Sequence, residues 1–201
     1  DQLLMDAGLL HLPVTVVLDR AGVTGSDGAS HNGVWDLAVA SIVPGIRIAA
    51  PRDPERLREE FGEALAVDDG PTIVRFPKGK VGKDIPAIER RGNVDVLRRP
   101  EHSEGADTEE SRLNVLMVAI GTFAAPACEA AAQLAEEGIE LTVVDPRWVI
   151  PVAAELVDMA ADADLVVVYE DGLLRGGVGS AVAEALHAAG VDTPLRQLAF
   201  P

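Results

Sequence analysis

Cysteine is nearly missing from this sequence: Cys128 is the one cysteine among 201 residues. A single cysteine forms no internal disulfide, which excludes a disulfide-stapled fold. It sits in an Ala-rich helical pattern, where a buried, inert thiol is expected rather than a nucleophile. Aromatic residues are scarce too, at 3% of the chain, so Ala, Val and Leu must fill the core. Positive charge is short: 17 Lys and Arg stand against 33 Asp and Glu, a net charge of −16. A surface that acidic repels nucleic acid and anionic membranes. It also makes the few clustered basic residues the places to look for an anion pocket. No apolar run approaches the ~20 residues that span a bilayer, so a cytoplasmic protein is expected. Asp1–Leu10 lacks a start methionine and a basic leader region, and reads as the end of a helix already running, hence as part of a longer chain. What is present, 48% hydrophobic residues, suffices for a globular core in one large or two small domains.

The chain is organised around one loop. Leu12–Leu18 is a β-branched apolar run that reads as a buried parallel strand. Gly22, Gly25, Gly28 and Gly33 follow it, a density that forbids regular structure and lets the backbone turn tightly. Asp19, Arg20, Asp27 and His31 are threaded among them. Singly, each has a bland reading: Asp and Gly form turns, Arg20 suits a surface ion pair, and a lone His is more often structural. Together they place an acid, a base and a guanidinium where α/β proteins bind ligands, beyond the carboxyl end of a strand.

The rest of the first half alternates. Val34–Val43 is apolar at helical spacing and stops at Pro44-Gly45. Ile46–Ala50 is a short strand. Asp53-Pro54 caps a helix whose Leu57, Phe61 and Leu65 recur at i, i+4, i+8. Pro71–Phe76 is a third strand, closing on Pro77-Lys78-Gly79. This alternation predicts a mainly parallel α/β sheet over residues 1–79.

Periodicity fails from 80 to 112. Val94–Leu97 suits one short strand, and the polar run from Arg98 to Arg112 reads as a charged, mobile linker. A second α/β unit is expected over 113–201. Its strands are Leu113–Ile120, Ile139–Val144, Asp164–Tyr169 and Pro194–Leu198. Helices open at Gly121-Thr122, ending at Gly138, at Pro151, and after Gly176-Gly-Val-Gly-Ser180. Gly177-Val-Gly179 invites a dinucleotide reading, but Val182 stands where a third glycine belongs, so close helix–strand packing is the simpler account.

The stretch D-R-A-G-V-T-G-S-D-G-A-S-H-N-G, Asp19 to Gly33, resembles the active-site loop of the 1-deoxy-D-xylulose-5-phosphate synthases. These are thiamine-diphosphate enzymes of the transketolase family. The likeness continues through Val34–Leu37, Ile48–Asp53, Gly70–Gly79, Ile120–Thr122, Asp145–Trp148 and Glu170–Ser180. It implies the latter part of a pyrimidine-binding domain followed by a transketolase C-terminal domain, which in the family mainly contributes to a homodimer. It also implies an enzyme that joins pyruvate to glyceraldehyde 3-phosphate with loss of CO2.

In that family the cofactor does the carbanion chemistry and the protein supplies orientation and electrostatics. The resemblance implies that His31 is the active-site histidine and Asp27 the acid before it. An imidazole suits proton donation to an aldehyde oxygen at neutral pH. It implies that Arg20 of D-R-A-G binds the substrate phosphate. The second phosphate ligand is usually the last arginine of R-Y-P-R-G; here Arg75-Phe-Pro-Lys78-Gly79 keeps the charge but loses the bidentate fork. The family's diphosphate and Mg2+ ligands, and the glutamate that activates the aminopyrimidine, match nothing in this sequence, so no cofactor or metal ligand is assigned and the chain alone is expected to be inactive. A non-catalytic or split-subunit dimerisation module is the alternative. A 2-oxoacid dehydrogenase β-subunit or another transketolase relative is a rival that D-G-A-S-H-N-G disfavours.

Overall fold

Two sheets share one core. The computed structural model describes residues 1–201 apart from Asp27, Val81, residues 101–112 and Gly138. The expected mobile run from Arg98 therefore lies largely outside the described residues, as does the Gly138 helix stop.

The β-branched run of the first half forms β1 (Thr15–Ala21). It pairs in parallel with β3 (Thr72–Pro77), Val16 opposite Ile73 and Ala21 opposite Pro77. On the other side of β3 lies β2 (Arg47–Ala49), also parallel. A fourth strand, β8 (Trp148–Ile150), arrives from the second half and pairs antiparallel with β2. The order is β1-β3-β2-β8.

The second sheet has six strands: β4 (Glu89–Arg91), β5 (Val94–Arg98), β6 (Asn114–Ala119), β7 (Glu140–Asp145), β9 (Leu165–Leu173) and β10 (Leu195–Phe200), in the order β10-β9-β6-β7-β5-β4. β6, β7, β9 and β10 run parallel, while β5 adds antiparallel to β7 and β4 antiparallel to β5. Thus residues 89–98 extend the second sheet, while 148–150 extend the first.

Helices cover these sheets. α1 (Asp36–Ala40) is shorter than the Val34–Val43 pattern. α2 (Pro54–Ala66) begins as its residues dictate: Asp53 accepts a hydrogen bond from the Arg56 N–H at 2.8 Å, with Pro54 in the first turn. Only part of its apolar stripe turns inward: Leu57 packs against the Ala49–Val74 cluster. Phe61 and Leu65 are 38% and 62% exposed, whereas Glu60 and Ala64 are buried. The inward face meets both a small apolar cluster, Ala49 and Val74, and the charged junction between the two halves, where Arg147 lies 3.9 Å from Glu60. α3 (Ala124–Glu136) follows a 3-10 turn, and α4 (Ala154–Ala161) starts three residues after Pro151. α5 (Val178–Ala188) completes the set.

One apolar cluster joins Leu37, Ile48 and Ile73 of the first half to Val96, Val118 and Val182. Each side chain of that size contributes about 1.5–3 kcal/mol by leaving water. Where the halves meet, Arg52 is buried and donates from Nη1 to Asp95 at 2.7 Å and Asp145 at 2.6 Å, and from Nε and Nη2 to the Ile85 carbonyl. Among the described residues, no helix is long and apolar enough to cross a membrane.

Candidate functional site

The carboxyl ends of β1 and β3 lie side by side, Ala21 opposite Pro77. Arg20 precedes the end of β1 and Lys78 directly follows β3; both are exposed. The two cations expected to bind phosphate thus sit at neighbouring strand ends, the edge where open α/β sheets bind ligands.

The glycine loop leaves from the same edge. Its neck is closed by two backbone bonds: Gly33 N–H donates to the Gly22 carbonyl at 2.7 Å, and Gly22 N–H to the Gly33 carbonyl at 3.3 Å. Gly22 sits at φ +71°, and a Cβ on Gly33 would lie 2.9 Å from the Arg20 carbonyl oxygen. A side chain at either position would force the neck apart. Inside the loop, Thr24 is buried and ties the far end down. Its N–H donates to Asn32 Oδ1 at 3.0 Å and its hydroxyl to the His31 carbonyl at 3.1 Å. His31 lies in a 3-10 turn, Ala29–His31, with its ring exposed. Ser30 Oγ is 3.1 Å from His31 Nδ1, so Nε2 is the ring nitrogen outside that contact. Asp27 lies outside the described residues.

A buried ion cluster stands behind the neck. Arg75, in the middle of β3, donates from Nε to Asp36 Oδ2 at 3.0 Å and from Nη1 to Asp171 Oδ1 at 2.9 Å. Burial opposes its charge, but Asp171 and Asp36 outweigh that and keep the guanidinium charged. Burial also holds the Asp36 carboxyl above its ordinary value, against the pull of Arg75. Arg75, Asp36 and Asp171 all lie within the matched stretches, yet the motifs give none of them a role. The available signal was a charge inside an apolar strand, Thr72-Ile-Val-Arg-Phe76, since a buried arginine needs carboxylate partners.

The remaining candidates have structural explanations. Glu170 takes the N-terminus of α5, accepting from the Val178 N–H at 2.9 Å and the Gly179 N–H at 2.7 Å. A Cβ on Gly179 would lie 2.7 Å from Gln197, so Gly177-Val-Gly179 is close packing. Cys128 is half-buried, and burial pushes its thiol up, away from reactivity.

A cavity of about 480 Å3 opens between the halves, lined by Ser41, Ile150, Gly177 and Ser180, with Glu184 as its charged wall. A carboxylate there repels a diphosphate. Among the described residues, no group of three or more His, Cys, Asp or Glu could hold a metal ion. That cavity therefore does not suit the diphosphate end of a thiamine cofactor.

Comparison with known proteins agrees with this architecture. Residues 1–83 match the transketolase pyrimidine-binding domain, and 105–201 the transketolase C-terminal domain. The whole chain is 58% identical to a 1-deoxy-D-xylulose-5-phosphate synthase of Mycobacteroides abscessus and 58% identical to one of Rhodococcus jostii. It spans 30% of the length of each. A solved structure described as a split gene transketolase, inactive β4 tetramer, superposes with a TM-score of 0.80 at 28% identity. That superposition covers 98% of this chain and 61% of that one. The two sheets, the glycine loop between strand ends and these matches lead to one conclusion: the chain belongs to the transketolase family.

Proposed function

We propose that this chain is the C-terminal part of a 1-deoxy-D-xylulose-5-phosphate synthase, which condenses pyruvate with glyceraldehyde 3-phosphate and releases CO2. The observation that carries the reading is identity of 58% across all 201 residues to proteins of that name. When bound in the complete protein, thiamine diphosphate with its Mg2+ supplies the carbanion chemistry. The groups that hold them belong to the remainder of that protein.

What this chain adds is the acceptor side. Arg20 and Lys78 bind the aldehyde's phosphate from adjacent strand ends. His31 donates a proton to the aldehyde oxygen as it becomes an alkoxide, and Asp27 holds a substrate hydroxyl or tunes His31. The complete enzyme is a cytoplasmic homodimer in this reading. The 201-residue chain alone neither turns over substrate nor binds thiamine diphosphate tightly.

A second reading has its own support. The structural neighbour is named a split gene transketolase, inactive β4 tetramer, so this chain can be read as one subunit of a split enzyme or as a dimerisation module. Isothermal titration of the isolated chain with thiamine diphosphate and magnesium, followed by a CO2-release assay of the full-length protein, separates these outcomes. Activity in the full-length protein alone supports the synthase. Activity that requires mixing with a second polypeptide supports the split subunit. Micromolar binding to the isolated chain would overturn the placement of the cofactor groups.

A further inference from the structure

Asp171 belongs to the second half of the chain, yet it reaches the loop of the first. It sits on β9 within Glu170-Asp171-Gly172, 13% exposed at its side chain. A Cβ built on Gly22 would lie 2.0 Å from Asp171 Oδ2 and 2.8 Å from its Cγ. The carboxylate therefore rests directly on the α-carbon of the neck glycine. Its other oxygen, Oδ1, accepts from Arg75 Nη1. The same guanidinium holds Asp36, whose Oδ1 accepts from the Leu37 N–H at 2.8 Å and so fixes the start of α1, the helix that leaves the loop. Both ends of the loop are thus referenced to one arginine. The contact continues beside the carboxylate: a Cβ on Gly172 would lie 3.2 Å from Leu37, and one on Gly176 would lie 2.9 Å from Ala38.

We propose that Asp171 is a positioning residue: seated on Gly22 and held by Arg75, it sets the neck of the loop that carries Asp27 and His31. The second half of the chain then contributes to the site as well as to association. A 2.9 Å charge-assisted bond at 3% and 13% side-chain exposure is a stiff tether, because little solvent screens it. The neck, by contrast, rests on one short and one long backbone bond, so a change in its backing passes directly to His31. The rival explanation is a generic staple between the halves, which would tighten the whole junction and leave no special mark on the loop.

The test is amide hydrogen exchange on the 201-residue chain, comparing the parent with Asp171→Ala and with Asp171→Asn, which keeps the shape and loses the charge. Exchange at Gly22 and Gly33 should rise about tenfold in Asp171→Ala and less in Asp171→Asn. The amides of β6 should not change. A rise spread over both sheets would show a generic staple and overturn the proposal; so would unchanged loop exchange in either folded variant. The kinetic arm rests on the proposed function. In the full-length protein, Asp171→Asn should lower kcat about tenfold with the pyruvate KM unchanged, the signature of displaced groups rather than lost binding. Arg75→Lys combined with Asp171→Asn should cost less than the sum of the two changes. Normal kcat for Asp171→Asn overturns the proposal. If the parent itself shows no turnover, the functional reading fails and the exchange result alone decides.

Discussion

Glu170 and Gly179 are joined by a 2.7 Å hydrogen bond in which the backbone N–H of Gly179 donates to the carboxylate, with Val178 donating to its other oxygen. A carboxylate at a helix N-terminus meets both the free N–H groups and the positive end of the helix dipole. This occupant also explains the glycines: a Cβ on Gly177 would lie 2.3 Å from the Leu173 carbonyl and 2.5 Å from Glu170. Glu170→Ala should destabilise the chain by about 2–3 kcal/mol, the scale of two lost bonds to a charged group. Urea unfolding gives the number, and an unchanged midpoint would show that the cap contributes nothing.

His31→Ala in the full-length protein should lower turnover on the order of 10²-fold, the scale of a lost general acid. The melting temperature should hardly move, because the ring is exposed and the loop is held by Thr24 and Asn32 instead. Normal turnover would make His31 a structural residue.

Lys78→Ala should raise the KM for the phosphorylated aldehyde and leave that for pyruvate nearly unchanged. A lysine acts as a point charge, so the difference should shrink as salt is added. Equal changes for both substrates would point away from phosphate binding.

Glu60 carries a pH signature. It is 0% exposed, and neither carboxyl oxygen has a hydrogen-bond partner. Burial first, and then Asp145, push its pKa up to about 10. In the unfolded chain a glutamate titrates near 4.3, so folding takes up a proton between these values. The folded state binds more protons than the unfolded one, and stability therefore falls as pH rises through that window. The melting temperature should be lower at pH 8.5 than at pH 6. Glu60→Gln, which carries no proton to lose, should flatten the slope. A variant whose slope matches the parent's would assign the dependence to other groups.

Local chemistry was legible in the sequence. The β-branched runs became β1, β3 and β6, and Asp53-Pro54 capped α2, because strand propensity and capping involve residues close along the chain. The glycine loop was also visible, since its turns need glycine wherever they occur. Three features were not. β4 is Glu-Arg-Arg, exposed throughout, and carries no apolar alternation. β8 is three residues long and pairs with a strand about a hundred positions earlier. The Arg75–Asp171 pair spans 96 positions, and single-sequence periodicity holds no term for a partner that distant. The outward turn of part of the α2 stripe has the same origin. Phe61 and Leu65 are apolar at helical spacing, but the surface awaiting that helix is a small apolar patch, Ala49 and Val74, bordered by charges such as Asp95 and Arg147.

The two short strands β5 and β8 cross in opposite directions. β5 precedes the 101–112 stretch in sequence and is bonded into the sheet built mostly from residues after it; β8 follows that stretch and is bonded into the sheet built before it. The halves are therefore interlocked by a reciprocal loan. A chain cut once between residues 100 and 113 yields two pieces, each holding a strand that the other's sheet uses. Such pieces should copurify and reconstitute from separate expression, as a natural two-fragment complementation pair, whereas either piece made alone lacks a strand that it cannot supply for itself.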